Sequence, residues 1–352
     1  MGKEKRGTAF VNDLLHWNQY ENSRQMPWKG EKDPYKIWLS EIILQQTRVE
    51  QGLKYFQNFI ETFPDVEALA TASETKVFKL WEGLGYYSRC RNLIYSAKYI
   101  SKELKGVFPA DYETILSLKG VGNYTASAIA SFAYNLPHAV LDGNVFRVLS
   151  RIFDIETPIH STNGKKEFSA LAQSILPAKQ AGEYNQAIMD FGAVICKPVP
   201  LCDECFFNKR CLAYLGGKQD LLPIKEKKLK IRKRWLNYFI VQRNNEVLVQ
   251  QRNEKDIWQG LHQFVLIETE KSYRLGQLKP LLQKQYGIEG HNVENQWQTR
   301  QQLSHQLICF QFAVIKLQRK KKVENYTWTK LSQLQDIAFP KTLQQAIQDY
   351  LF

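Results

Sequence analysis

No stretch of this chain comes near the ~18 consecutive apolar residues that a membrane-spanning helix needs. The opening MGKEKRGTAFVNDLLHW lacks the uninterrupted apolar core of a secretory signal. A cytoplasmic protein with no membrane partner is the expectation. Cysteine is scarce, and four of the six fall between positions 196 and 211. Disulfides are improbable in a reducing compartment, so that group reads as a metal site. Cys90 and Cys309 stand alone and read as small buried hydrophobes. Acidic residues are in deficit, 35 Asp and Glu against 48 Lys and Arg, for a net charge of +13. The excess points to a polyanionic partner, nucleic acid above all, with a merely solvated surface as the plainer alternative. Low-complexity tracts are missing too, and 44% hydrophobic residues over 352 positions suffice for two domains with cores of their own.

Helical periodicity runs from residue 8 to about 215. FVNDLLHW, DPYKIWLSEIILQQTRVEQGLKYFQNFIETF, ETKVFKLW and SRCRNLIYSAKYISKEL carry apolar positions at 3.6-type spacing. Pro and Gly punctuate the joins at Pro27, Pro34, Pro64, Gly83, Gly85 and Pro109. A basic stretch follows the cysteines, with seven Lys or Arg and one Glu between Lys225 and Arg234, and reads as a linker. Beyond it the texture changes. LNYFIVQRNNEVLVQQR predicts a hairpin turning at Asn244-Asn245, and FVLIET and LICFQFAVIKL are further strand candidates. LGQLKPLLQKQYG and KTLQQAIQDYL read as helices. The expected architecture is an all-α domain over 1–221, a linker at 222–235 and a mixed α+β domain over 236–352.

ETILSLKGVGNYTASAIASFAY reads as helix, tight glycine hairpin, helix. Gly120 and Gly122 permit positive φ and close backbone approach, and the N–H groups opening the second helix suit a phosphate. Glu41 sits within KIWLSEIILQQ, flanked at helical spacing by Ile37, Trp38, Leu44 and Gln45. A carboxylate in that company has a raised pKa and can donate a proton near neutrality, unless it lies on the wet edge of its helix. Asp142 precedes the apolar-periodic NVFRVLSRIF and has an N-cap as its simplest role. Cys196, Cys202, Cys205 and Cys211 form one compact C-x5-C-x2-C-x5-C run, unlike the two separated pairs of a zinc ribbon. Four thiolates suit an iron–sulfur cluster, with zinc as the main alternative.

LKGVG, LDGNVFRV and the cysteine run together resemble the DNA glycosylases of the endonuclease III superfamily. SEIILQQTRVE and WEGLGYYSRCRNL narrow the likeness to the MutY-type adenine glycosylases. The resemblance implies a helix–hairpin–helix fold, with a six-helix part at about 25–137 and a cluster part formed by 1–24 and 138–221. It implies base excision repair: adenine opposite 8-oxoguanine or guanine is flipped from duplex DNA and its N-glycosidic bond hydrolysed. Glu41 then protonates the base, Asp142 meets the positive charge on the sugar, and Asn144 joins the catalytic set, a division of duties between two carboxyls familiar from glycoside cleavage. Gln46, Thr47 and Tyr86 fall at wedge and intercalation positions, and Lys119, Gly120 and Gly122 at the phosphate-facing hairpin. Tyr124 stands where lyase members carry a Schiff-base lysine, which implies a monofunctional glycosylase.

Some positions depart from the family pattern. Trp28 and Lys29 match an MPWR motif with Lys for Arg, and Gln186 replaces a frequent Glu; all three are implied to line the adenine pocket. The implied [4Fe–4S] loop is one residue short in its first gap, and Lys209 and Arg210 on it read as phosphate contacts. The second domain resembles the Nudix fold, yet KSYRLGQLKPLLQKQYGI has no Asp or Glu to hold magnesium, which excludes nucleotide hydrolysis. Its implied task is reading 8-oxoguanine through Leu303, Ser304 and His305, where the family has Phe-Ser-His. The resulting picture is a monomer on duplex DNA, nucleoid-associated in a bacterial cytoplasm. The alternatives are a pyrimidine-lesion or thymine-mismatch glycosylase of the same superfamily, or a catalytically silent DNA-binding relative.

Overall fold

The computed structural model describes residues 2–26, 28–225, 231–289 and 293–351; Pro27 and positions 226–230 of the basic linker lie outside the described residues. The chain divides into two compact units, Met1–Thr71 with Tyr95–Lys227, and Ala72–Ile94 with Lys228–Phe352.

The first unit is helical. In order it holds α1 (Lys3–Tyr20), α2 (Pro34–Leu44), α3 (Val49–Thr62) and α4 (Val66–Thr71). The chain then passes through α5 (Glu74–Trp81) and the start of α6 (Tyr87–Glu103), which belong to the second unit. The first unit resumes with the rest of α6, α7 (Tyr112–Ser117), α8 (Asn123–Tyr134), α9 (Gly143–Phe153), α10 (Thr162–Ile175), α11 (Ala181–Val194) and α12 (Leu212–Leu215). Local chemistry sets the ends. Asp33, Asp111, Asp142 and Ser161 each accept a hydrogen bond from a backbone N–H of the helix they precede. Asn135 and Asp154 end α8 and α9 in the left-handed conformation.

The long helical run expected from 33 to 63 is two helices. It breaks at Gln45–Arg48, with Gln46 at φ 57°. QQTR contains neither Gly nor Pro, so nothing in its composition marks the break, and a non-glycine residue with positive φ is held there by surrounding structure.

One apolar core unites α1, α9, α11 and the cysteine loop through Phe10, Leu14, Trp17, Phe191 and Phe207, all buried. The rings of Phe10 and Phe207 meet edge to face at 5.3 Å. Asn185 of α11 is fully buried: its amide donates to Ser131 Oγ (2.9 Å) and His138 O (2.8 Å) and accepts from Val140 N (3.2 Å). It thereby fixes the segment leading into Asp142.

The second unit carries a seven-stranded mixed sheet among the described residues. The hairpin at Asn244-Asn245 is present between β1 (Arg232–Arg243) and β2 (Glu246–Gln251), with Asn244 at φ 50°. FVLIET supplies β4 (Val265–Thr269) after a two-residue β3 (His262–Gln263), and α13 (Leu275–Tyr286) follows. LICFQFAVIKL lies in β6 (Gln306–Lys316), which runs parallel to β1 from Arg232↔Gln306 to Gln242↔Lys316. The expected helix KTLQQAIQDYL is α14 (Lys341–Leu351). Three strands were not foreseen: the short β3, β5 (Val293–Gln302) and β7 (Thr327–Lys330). β5 is an edge strand on β6, and VENQWQTRQQ carries too few apolar residues to show a period of two.

Replacing Asn185 with Ala strips partners from buried backbone groups at His138 and Val140. We expect a loss of about 2–4 kcal/mol of stability, measured by chemical or thermal unfolding; an unchanged midpoint would refute the bracing role.

Candidate active site and cysteine centre

A cavity of about 700 Å³ opens in the first unit, and all four expected catalytic residues and all three expected adenine-pocket residues line it. α2 brings Glu41, the α2–α3 break brings Gln46 and Thr47, α8 brings Tyr124, and the start of α9 brings Asp142 and Asn144. Trp28, Lys29 and Gln186 form another part of the wall.

Glu41 is only 7% exposed. Burial pushes its carboxyl from 4.5 up to about 7; the charge of Asp142 adds to the rise, and a hydrogen bond donated by the Tyr124 hydroxyl opposes it. Asp142 is also raised by burial, but more groups resist the rise: Val145 N–H donates to it at 2.7 Å, Asn144 Nδ2 at 2.8 Å, and the Arg147 guanidinium lies near. It is the N-cap of α9, where the helix dipole favours negative charge. The two carboxyls face one cavity with unequal support for their ionised forms.

A hydrogen-bonded path leaves Asp142 for the cysteine loop. Asn144 Oδ1 accepts from Arg147 Nη2 (2.8 Å), and Arg147 Nε donates to Cys196 O (2.8 Å). One turn on, the 2%-exposed Arg151 donates to Lys197 O (2.6 Å) and Pro198 O (2.9 Å) and points Nη1 at Cys196 Sγ (3.5 Å). With Leu201 N–H bonded to Ile195 O (3.0 Å), these contacts hold the shortened KPVPL turn in place. Cys196, Cys202, Cys205 and Cys211 all line a small cavity of about 20 Å³. Among the described residues, no three His, Cys, Asp or Glu side chains are grouped as ligands of a single metal ion. The donor set fits a cationic cluster. Burial, with the neighbouring sulfurs adding to it, pushes Cys205 up to about 12 and Cys211 up to about 11, so several thiolates coexist here only with positive charge between them. Arg210, expected at phosphate, pairs with Asp13 and lies 4.5 Å over the Phe207 ring, with its side chain still partly exposed. Its sequence neighbours gave no hint of a partner 197 positions away.

The glycine hairpin lies apart from the cavity. Gly120 has φ 86°, and Gly122 caps α8 without a side chain to occupy its first N–H groups. The Lys119 ammonium sits 4.2 Å from the Tyr95 ring centre.

The second unit joins residues expected for separate tasks. Tyr86, 44% exposed and at φ 47°, shares a 2.5 Å hydrogen bond between its hydroxyl and Ser304 Oγ. Both line a cavity of about 890 Å³ together with Leu303 and His305. Leu303 closes the β5–β6 turn, its N–H bonded to Gln306 O at 2.8 Å, and packs on the sheet core.

Residues 39–177 match the HhH-GPD superfamily of base excision DNA repair proteins, and 237–349 match the NUDIX domain. The adenine DNA glycosylase of Buchnera aphidicola subsp. Acyrthosiphon pisum is 31% identical over 346 residues, 97% of each chain. The chain belongs to the adenine DNA glycosylases. The adenine DNA glycosylase of Mus musculus is 40% identical over 229 residues, 61% of this chain and 44% of its own. Among solved structures, a thermostable thymine-DNA glycosylase aligns with a TM-score of 0.56 at 28% identity, over 60% of this chain and 98% of its own. A trapped endonuclease III–DNA covalent intermediate aligns at 0.54 and 17%, over 62% and 99%, a likeness of fold. No described helix is long and apolar enough to cross a membrane.

Within this adenine glycosylase, sequence reasoning overlooked Asp190. It is wholly buried on α11, and Asn22, Arg24, Lys29 and Gln186 all converge on it. NQAIMDF carried the same signal as Glu41, a carboxylate at helical spacing among apolar residues.

The raised Glu41 carboxyl sets a pH dependence. Its pKa in the folded state, about 7, lies above the ordinary 4.5, so the folded protein holds the extra proton between those values. Stability is therefore lost as pH rises from 4.5 through 7, by up to roughly 3 kcal/mol in full. Glu41→Gln should raise the unfolding temperature at pH 8 and leave it nearly unchanged at pH 4.5; equal shifts at both would mean that Glu41 titrates normally.

Proposed function

We propose that this enzyme removes adenine opposite 8-oxoguanine or guanine in duplex DNA, by hydrolysis and without strand cleavage. One observation carries the reading: in a member of the adenine DNA glycosylases, a carboxyl poised near pH 7 and a second one held by more hydrogen bonds share one cavity. Protonated Glu41 donates to N7 of a flipped adenine, and the C1′–N9 bond breaks with its electron pair going to N9. Asp142 stays ionised on its N-cap hydrogen bonds and faces the positive charge at C1′. Water adds there and returns a proton to Glu41. Tyr124 holds the Glu41 carboxyl in place and supplies no amine for a Schiff base. Gln46 and Thr47 fill the vacated stack, and the 119–122 hairpin grips phosphate.

The decisive assay is single-turnover base release from duplexes carrying A opposite 8-oxoguanine, A opposite G, T opposite G, or an oxidised pyrimidine. Release of adenine from both purine mispairs is expected; release of thymine alone would favour the thymine-glycosylase reading that the solved neighbour raises. Glu41→Gln should lower adenine release by about 10²–10⁴-fold, the usual worth of general acid catalysis, with duplex binding kept. Borohydride should trap no covalent complex with the wild type.

Cys196, Cys202, Cys205 and Cys211 hold a [4Fe–4S] cluster in this reading, with Arg151 and the Phe207 N–H directed at Cys196 and Cys205 sulfurs. The purified protein should contain iron and acid-labile sulfide. A colourless preparation with stoichiometric zinc would replace the cluster with zinc.

A further inference from the structure

We propose that Asp190 is the positioning residue that sets the hydrogen-bonding polarity of the adenine pocket, by turning the Gln186 amide. This inference rests on the cavity being the adenine site. Asp190 Oδ1 accepts from Arg24 Nη1 (2.7 Å) and Gln186 Nε2 (2.9 Å). Its Oδ2 accepts from Asn22 Nδ2 (2.9 Å) and Lys29 Nζ (2.9 Å). Arg24, Lys29 and Gln186 all line the cavity, whereas Asp190 lies behind them with no exposed surface. The segment from 22 to 26 has neither helix nor strand to hold it, and its shape depends on these side-chain bonds together with Lys29 Nζ donating to Arg24 O (3.1 Å).

The consequence for specificity follows from donor and acceptor counts. An ionised carboxylate only accepts, so the end of Gln186 turned toward Asp190 has to be its NH₂. The amide oxygen of Gln186 is then the end left for a ligand. An acceptor at this wall matches the exocyclic amine of adenine, a donor, and repels the carbonyl that hypoxanthine carries at the same position. A glutamine released from Asp190 could turn either end to the base and would lose that preference. Two cations tied to the same carboxylate keep a positive wall in place without turning both charges onto the base.

The test is a ratio: single-turnover release of adenine against release of hypoxanthine, each opposite 8-oxoguanine. Intrinsic differences between the two leaving groups cancel when variants are compared, as does any fraction of misfolded protein. Asp190→Asn should lower the adenine preference by roughly tenfold or more, since sites that bond a substrate N–H reject its lack strongly. The pH profile set by Glu41 should stay where it was. Gln186→Leu should lower the ratio similarly, and the double variant should lose no more than either single one, because the two act as a unit. An unchanged ratio in folded Asp190→Asn, or additive losses in the double variant, overturns the inference. If Asp190→Asn does not fold, Gln186→Leu decides: a wild-type ratio there overturns it equally. A wild type that releases no adenine at all would instead sink the underlying reading of the site.

Discussion

A carboxyl group kept out of water at the edge of an open cavity is the constraint around which the first unit is built. Glu41 has to be buried enough to hold a proton near neutrality, yet reach the cavity where a base would sit. Its place on α2 meets both demands, because Ile37 and Leu44 line the same wall and the Tyr124 hydroxyl anchors the carboxyl from α8. The second carboxyl then needs the opposite treatment. Two ionised carboxylates in one pocket repel, so Asp142 receives what Glu41 is denied: a helix N-terminus, a backbone N–H, an amide and a nearby guanidinium. The ionised forms of the two are supported unequally by environment alone, since both are ordinary carboxylic acids.

That arrangement depends on α11 more than on the helices that carry the carboxyls. Gly182 passes so close to α8 that a Cβ there would lie 2.5 Å from Ser131 O, and at Gly192 it would lie 2.8 Å from Asn144 Cβ. Between these two close approaches sit Asn185, which fixes the segment before Asp142, and Gln186 with Asp190, which fix the opposite wall. One helix thus sets the spacing of the whole cavity. The Asn144–Arg147–Cys196 path extends the same rigidity to the cysteine loop. A cluster there would brace the end of α9 that Asp142 caps, without touching the chemistry.

The parts legible in the sequence are those written in local pattern. The helical half, the β1–β2 hairpin, the glycine hairpin and the cysteine run all follow from residue spacing within one segment. The α2–α3 break was not legible, because Gln46 adopts a left-handed backbone that its side chain does not advertise. β5 escaped because a polar edge strand buries little and so shows little alternation. What the sequence hid was pairing: Asn22, Arg24 and Lys29 lie 161 to 168 positions from Asp190, and Asp13 lies 197 from Arg210, so local spacing marks the charged residue but not its partner. Of the candidate site, the residue types were visible; their polarity, meaning which end of which group faces the cavity, came from packing.

The second unit shows how a departure from a family pattern can be absorbed. Leu303 has no aromatic face, and its side chain packs on the sheet core while its N–H closes the turn that lifts Ser304 into the open. An aromatic face is nevertheless present beside that serine, in Tyr86, whose hydroxyl bonds Ser304 and whose ring is backed by the Arg89 guanidinium at 5.3 Å. Arg89 also lies over Trp81 at 5.3 Å and is 8% exposed, so the tyrosine rests on a fixed support. Positive φ at Gly83, Gly85 and Tyr86 makes the bend that brings the ring there. If this loop reads an oxidised purine, as the family resemblance implies, stacking and hydrogen bonding need not come from adjacent residues of one turn. They can be divided between two segments, and a leucine at 303 then serves the turn while a tyrosine at 86 serves the base.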